Sequence, residues 1–185
     1  MAGRTPVAEQ ALVGEDTMAT AWTAARERLE NPEQGRTYWL ATVRPDGGPH
    51  VVPLLGLWLD HAFYFLTGET TRRGKNLAHA PRCVMATSST TLPALDLIVE
   101  GNCRKVRDDN MLHRVAEAYG AKLAWPLEVR DGAVHGPSAP TAGPPPYAVY
   151  ELVPEKVIGL PGIAGTEAGV GRAGAFTPTR WRFVR

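Results

Sequence analysis

The sequence predicts a mainly β fold, a small antiparallel barrel with a few peripheral helices. Short apolar runs recur along residues 36–183, separated by turns rich in Gly and Pro. Helical periodicity is confined to isolated stretches and does not alternate with the strands, as a doubly wound parallel sheet would demand. Several runs are also apolar on both faces, with Tyr38 and Leu40 on one side and Trp39, Ala41 and Val43 on the other. Both faces of such strands need cover, from a barrel interior on one side and a helix or second subunit on the other.

Taken in order, residues 1–16 read as a flexible leader without periodicity. Asp16 or Thr17 can cap a helix running to Glu30, with Met18, Trp22, Ala25 and Leu29 on one face. Asn31-Pro32 and Gly35 end it. A single barrel domain fills the rest, so residues 17–185 form one unit: the helix over 17–30 and the barrel over 36–185. Its strands are expected at Arg36–Val43 and Pro49–Leu59, joined by Pro45-Asp46-Gly47-Gly48, where Pro fixes φ and Gly accepts a positive one. Ala62–Thr67, Arg82–Ser88, Leu95–Val106, Tyr147–Val153 and Thr179–Phe183 follow as strands. Two more helices are expected, Thr71–His79 before Pro81, and one from Asp108 with Leu112, Val115, Ala116 and Tyr119 at helical spacing. Gly136–Pro146 and Pro161–Pro178 read as loops on composition.

At 185 residues, with 44% hydrophobic and 21% charged residues, the chain can bury a full core. A net charge of +1 gives no general attraction to nucleic acid or to an anionic membrane. The longest apolar stretches, such as Val51–Leu59, are too short to span a bilayer as helices. The first ten residues carry no apolar targeting core, so a cytoplasmic protein is expected. Cys83 and Cys103 read as buried thiols, although a bridge between adjacent strands is also open.

The most informative segment is residues 67–77, Thr-Gly-Glu-Thr-Thr-Arg-Arg-Gly-Lys-Asn-Leu. A strand ends there and a helix begins with Arg72, Arg73 and Lys75 in its first turn, where cations oppose the helix dipole. Such an arrangement suits a bound anion, because helix N–H groups and guanidinium forks both bind phosphate. Without an anion the segment would be a solvated basic face. Two lookalikes fail. Gly68 to Gly74-Lys75 has five intervening residues where a P-loop has four, and Asn76 stands in place of the hydroxyl residue. Residues 169–174 spell G-x-G-x-x-G but leave too little chain for a βαβ unit. The five histidines and two cysteines show no metal-ligand spacing, and no catalytic triad is legible. Pro53 inside an apolar run marks an edge strand, a bulge or a bound ligand.

The order of these motifs resembles the pyridoxamine 5′-phosphate oxidase-like split-barrel superfamily. Residues 38–53, Tyr-Trp-Leu-Ala-Thr-Val-Arg-Pro-Asp-Gly-Gly-Pro-His-Val-Val-Pro, are similar to its opening hairpin. Phe63–Thr67, the basic segment through Asn76-Leu77-Ala78 to Pro81, and Leu97–Gly101 continue the likeness. Val157–Pro161 and Thr179–Phe183 resemble its closing segments, particularly those of actinobacterial flavin- or deazaflavin-dependent oxidoreductases. Where the family more often reads Ser-Arg-Lys, this chain has Thr71-Arg72-Arg73, and a guanidinium does not replace an ammonium geometrically.

The resemblance implies an antiparallel FMN-binding split β-barrel and a homodimer with the cofactor at the subunit interface. It implies an oxidoreductase using the deazaflavin F420, with FMN as the alternative, for hydride transfer to a small organic substrate. A non-catalytic flavin storage or sensor protein is the alternative function. Thr67, Thr71, Arg72, Arg73, Lys75 and Asn76 match the phosphate-binding segment. The backbone of His50, Val51, Val52 and Pro53 would face the ring, and Trp181 and Arg182 match a closing segment near it. No catalytic side chain and no metal are implied, nor a nucleic-acid or membrane partner.

Overall fold

The computed structural model describes residues 4–14, 16–32, 37–87, 94–161, 165–166, 169–170 and 176–184. Along the chain run β1 (Ala8–Ala11), α1 (Trp22–Glu30), β2 (Tyr38–Val43), β3 (Pro49–Leu54), β4 (Gly56–Leu59), β5 (Ala62–Thr67), α2 (Arg72–His79), β6 (Arg82–Thr87), β7 (Leu95–Lys105) and α3 (Asp109–Leu123). A hairpin of β8 (Glu128–Arg130) and β9 (Ala133–His135) follows, then β10 (Ala148–Pro161), β11 (Gly165–Thr166), β12 (Gly169–Val170) and β13 (Thr179–Arg182). Arg36, Gly35, Ser88, most of the 161–178 stretch and Gly171–Gly174 of the glycine motif lie outside the described residues.

The expected antiparallel β architecture is present, and the long strand β10 organises it. The main sheet runs β1-β13-β10-β7-β6-β2-β3. Along one edge β10 pairs with β7 almost throughout. On its other edge the first part, Ala148–Leu152, pairs with β5, and the later part, Lys156–Gly159, pairs with β13. A bulge between Pro154 and Lys156 separates the halves. Bulges bend a strand and add twist, so one strand can serve two diverging walls and the barrel is split. The expected strand Tyr147–Val153 and the closing segment Val157–Pro161 are therefore one element.

β5 fulfils the requirement that both faces be covered, since every residue of Ala62–Thr67 is buried. Phe63 and Phe65 point into the barrel with Trp22, Leu40, Met85, Leu97, Val99 and Trp181. Tyr64 and Leu66 point outward beneath Leu112, Val115 and Tyr119 of α3 and Val134 of β9. Trp22 joins α1 to the barrel through Trp58, Trp181 and Phe183, at ring-centroid distances of 6.3, 5.7 and 5.0 Å. Aromatic pairs of this kind contribute roughly 0.5–1.5 kcal/mol each beyond area burial.

Three expectations need correction. α1 begins at Trp22, not at Asp16 or Thr17, and Met18 is 86% exposed. The preceding backbone is held extended because Thr20 bonds to Thr179 and Thr177 beside β13. The carboxylate of Glu9 in β1 accepts from Trp22 N at 3.3 Å. Residues 8–11, read as leader, form a strand paired with β13. The Pro49–Leu59 run breaks at Leu55, because β3 pairs with β2 while β4 turns to pair with β5. The face of β2 and β3 carrying Trp39, Val43 and Val51 is not covered by the described residues, which leaves it to the second subunit that the apolar strands also allowed for. No helix is long and apolar enough to cross a membrane among the described residues.

Candidate functional site

The site is built where β5 hands over to α2. Thr67, the last residue of β5, has no exposed surface. Thr71 caps α2: its Oγ1 accepts from Gly74 N at 3.1 Å and donates to Gly68 O at 2.8 Å. The Thr67 and Thr71 hydroxyl oxygens lie 2.9 Å apart. A capping hydroxyl is worth about 1 kcal/mol to a helix. Gly74 allows this tight turn, because a Cβ there would stand 2.6 Å from Gly68 O and 2.8 Å from Glu69 O.

Helical geometry then sorts the basic residues onto two faces. Arg72 and Lys75 are exposed, whereas Arg73 and Asn76 are buried. The Arg73 Nη2 donates to Leu66 O at 3.0 Å and to Thr141 O at 3.3 Å. Its guanidinium carbon stands 5.8 Å from the centre of the Phe65 ring. Burial lowers its pKa to about 10, so it remains a cation at neutral pH. Among the described residues, Arg73 Nε and Nη1 and Asn76 Oδ1 are buried without a hydrogen-bond partner. The segment thus holds polar capacity that the protein itself does not consume.

Asn76 connects α2 to the opening hairpin. Its Nδ2 donates to Thr42 Oγ1 at 3.0 Å. The Thr42 hydroxyl in turn faces His50, whose carbonyl oxygen and Nδ1 each lie 3.4 Å away. The His50 pKa lies below its usual value, through burial first and then through Arg44, Arg72 and Arg73. His50 is therefore a neutral imidazole at neutral pH, within the field of the basic helix start. Val51 is exposed, and Val52 and Pro53 are half-buried, on strand β3 at the end of the sheet. The edge reading of Pro53 is the one realised.

The structure thus brings together Thr67, Thr71, Arg72, Arg73, Lys75, Asn76 and His50. Trp181 and Arg182 are placed elsewhere, on β13 between β1 and β10. Trp181 is fully buried, with Nε1 donating to Thr20 O at 3.1 Å. Gly159 makes room for its ring, which a Cβ would approach to 2.7 Å. Thr42 escaped the sequence reading, because one Thr at an inward strand position looks like ordinary core. The 136–146 segment is the expected loop, but its part in the site escaped that reading: Ala142 O accepts from Gly68 N at 2.9 Å and Thr141 O accepts from Arg73.

Chemically, the exposed cations at a helix N-terminus can hold an anionic group, and the buried Arg73 reinforces the same field. No group of three or more potential metal ligands exists among the described residues.

A family model described as pyridoxamine 5′-phosphate oxidase matches residues 22–160. None of the curated proteins compared with the chain matches it. Among solved structures, a conserved hypothetical protein of Mycobacterium tuberculosis is 18% identical with a TM-score of 0.56, over 84% of this chain and 98% of that one. An F420 reductase is 23% identical with a TM-score of 0.50, over 71% of this chain and 94% of that one. A heme storage protein of Vibrio cholerae is 19% identical with a TM-score of 0.52, over 75% of this chain and 92% of that one. At these identities the likeness is one of fold. Strand order, the split at β10 and the matched span agree, and the chain belongs to the pyridoxamine 5′-phosphate oxidase family, with its split-barrel fold.

Proposed function

We propose that the protein is an oxidoreductase that binds F420, in preference to FMN, and reduces or oxidises a small organic substrate. The observation that carries this reading is the start of α2. Two exposed cations, Arg72 and Lys75, crowd the positive end of a helix dipole beside buried Arg73. Among the described residues no acidic side chain stands in the first turn of α2 to balance them. That charge arrangement is unfavourable alone and becomes favourable when an anion is bound. Arg72, Lys75 and the first-turn N–H groups would hold the cofactor phosphate. Thr67 and Thr71 shape the turn, and Asn76, Thr42 and His50 fix the hairpin backbone through Pro53 against it.

When bound, the deazaflavin ring supplies the two-electron hydride chemistry. The chain's own task is to bind, to orient and to exclude water, which accords with the lack of an evident acid–base pair. His50 is neutral, so it can donate or accept a hydrogen bond without adding charge. Trp39, Val43, Val51 and Leu55 remain 42–55% exposed on the same hairpin region, an apolar face suited to a second copy of the chain. In the homodimer this face would be covered and the cofactor would lie beside it.

Parallel fluorescence titrations with F420 and FMN test the reading. F420 carries an anionic tail beyond its phosphate, so it should bind about tenfold more tightly, equivalent to about 1.4 kcal/mol. The preference should shrink with added salt, which screens exposed charges. Tighter FMN binding at both salt concentrations would move the assignment to an FMN enzyme. F420 binding with no turnover against any reductant or acceptor would favour a storage or sensor role.

A further inference from the structure

We infer that Cys83 and Cys103 form an oxidisable thiol pair, a modification site in the barrel wall beside a surface cavity and separate from the anion site at α2. The pairing follows from the β6–β7 register. Cys83 stands opposite Gly101, and Cys103 lies two residues further along β7 on the same face. The glycine puts no side chain between them. Both side chains lean into the gap, and their sulfur atoms lie 2.7 Å apart. That is inside ordinary contact and not far beyond a sulfur–sulfur bond of about 2.05 Å, so closure needs little movement.

Access is the second observation. A cavity of about 390 Å³ is lined by Arg4, His61, Asn102, Cys103, Arg104 and Glu155 together with Val153. Asn102 and Arg104 are exposed, so the cavity opens to solvent. Cys103 lies in its wall, while Cys83 is not among the lining residues and is 3% exposed. The Cys103 side chain points to the face of β7 opposite Asn102 and Arg104, so a small oxidant reaches it by local opening of the barrel wall beside this cavity, at Cys103, 7% exposed, before the more enclosed Cys83.

The oxidant that fits is a small hydroperoxide. The Cys103 thiolate attacks the terminal peroxide oxygen, the O–O bond breaks, and the remaining oxygen leaves as an alcohol, or as water from hydrogen peroxide. Cys103 becomes a sulfenic acid. The Cys83 sulfur then attacks Cys103 Sγ, the S–O bond breaks and water departs with the Cys83 proton. Two thiols and one hydroperoxide give one disulfide, one alcohol and one water. Two electrons pass from the sulfur atoms to the peroxide.

Cys103 is protonated at neutral pH, because burial and then Cys83 push its pKa well up. The groups around it are Cys83 on β6, Tyr150 and Glu155 on β10, His61 in the β4–β5 turn, Arg104 on β7, and Arg4 before β1. The reaction should accordingly be slow at neutral pH and accelerate about tenfold per pH unit, since only the thiolate attacks.

The experiment uses the full chain, reduced and then exposed to hydrogen peroxide while folded. Denaturing alkylation, intact mass and peptide mapping follow. The expected product has lost two hydrogen atoms, takes up no alkylating reagent and yields a Cys83–Cys103 linked peptide. Cys83→Ser should instead trap a sulfenic acid at Cys103, detectable with dimedone. Cys103→Ser should leave Cys83 as a thiol. Two alkylatable thiols after exposure, or a disulfide joining two chains, would overturn the inference, and either result is read from the wild-type protein without recourse to a variant.

Discussion

His50 and Arg73 carry opposite electrostatic burdens around one helix start. The folded protein holds the His50 pKa below its usual value of about 6.5. Between the folded-state value and 6.5 the unfolded chain binds more protons, so stability rises with pH across that window. The contribution is complete above about 6.5 and is lost as pH falls through the folded value. Urea unfolding of His50→Gln between about pH 5 and pH 7.5 should show a shallower decline on the acid side than the wild type. Equal slopes would mean that His50 is unperturbed. Arg73 behaves differently, because its side chain is buried and bonded to two carbonyl groups. Its replacement leaves Leu66 O and Thr141 O without that donor, so Arg73→Ala is a stability variant first. Thr42 shows why part of the site was hidden: its function lies in bonding Asn76 and His50, partners 34 and 8 residues away.

Helix starts show what local sequence can and cannot disclose. α2 and α3 were legible because their caps, Thr71 and Asp108, sit next to the helices they cap. α1 was misplaced because its first N–H is met by Glu9, from another strand, and its approach is fixed by Thr177 and Thr179. β10 continues past the expected strand end at Val153 to Pro161, because a bulge between Pro154 and Lys156 absorbs the proline. The β8–β9 hairpin did leave a signal, the Asp131-Gly132 pair, which adopts positive φ values of 52° and 71°. For α2, the separation of its faces decides the test of anion binding. Arg72→Ala with Lys75→Ala removes only exposed cations. Charge-assisted bonds are worth roughly 1.5–3 kcal/mol each, so cofactor affinity should fall about a hundredfold or more with the melting temperature nearly unchanged. Unchanged affinity in that folded double variant would reduce the segment to a solvated basic surface.

At the scale of the molecule, apolar strands gave the architecture but not the extent of cover. β5 is enclosed by the chain itself, while Trp39, Val43 and Val51 on the hairpin are left 46%, 42% and 55% exposed. Register places Trp39 beside Pro53 and Ala41 beside Val51 on one continuous face. Contiguous apolar surface of this sort marks an interaction site, and the proposed homodimer would bury it with two-fold symmetry. Sedimentation equilibrium should give twice the chain mass at micromolar concentration. Trp39→Glu, which adds a charge without touching the interior, should shift the protein toward monomer. A wild-type monomer would remove the shared-site part of the proposal.

The short strand β1 has a consequence for how copies of the chain could exchange segments. It covers the outer backbone of β13 with four residues, three of them exposed, and is joined to α1 by the 12–21 stretch. Four pairings, extended by the bonds of Val7 N to Arg182 O and Leu12 N to Pro178 O, hold it there, and its side chains bury little. If β1 lifts away, β13 offers an unpaired row of N–H and C=O groups, which another molecule's β1 matches residue for residue. The exchange is self-limiting when two copies trade strands reciprocally and open-ended when they trade in a chain. The opposite end of the sheet lacks this vulnerability, because Pro49 and Pro53 deprive β3 of donors. A chain lacking residues 1–12 should therefore associate as its concentration rises, and light scattering would follow it. A synthetic peptide spanning residues 4–14 should suppress that association by reoccupying β13, and no rise in scattering would show that β13 needs no guard.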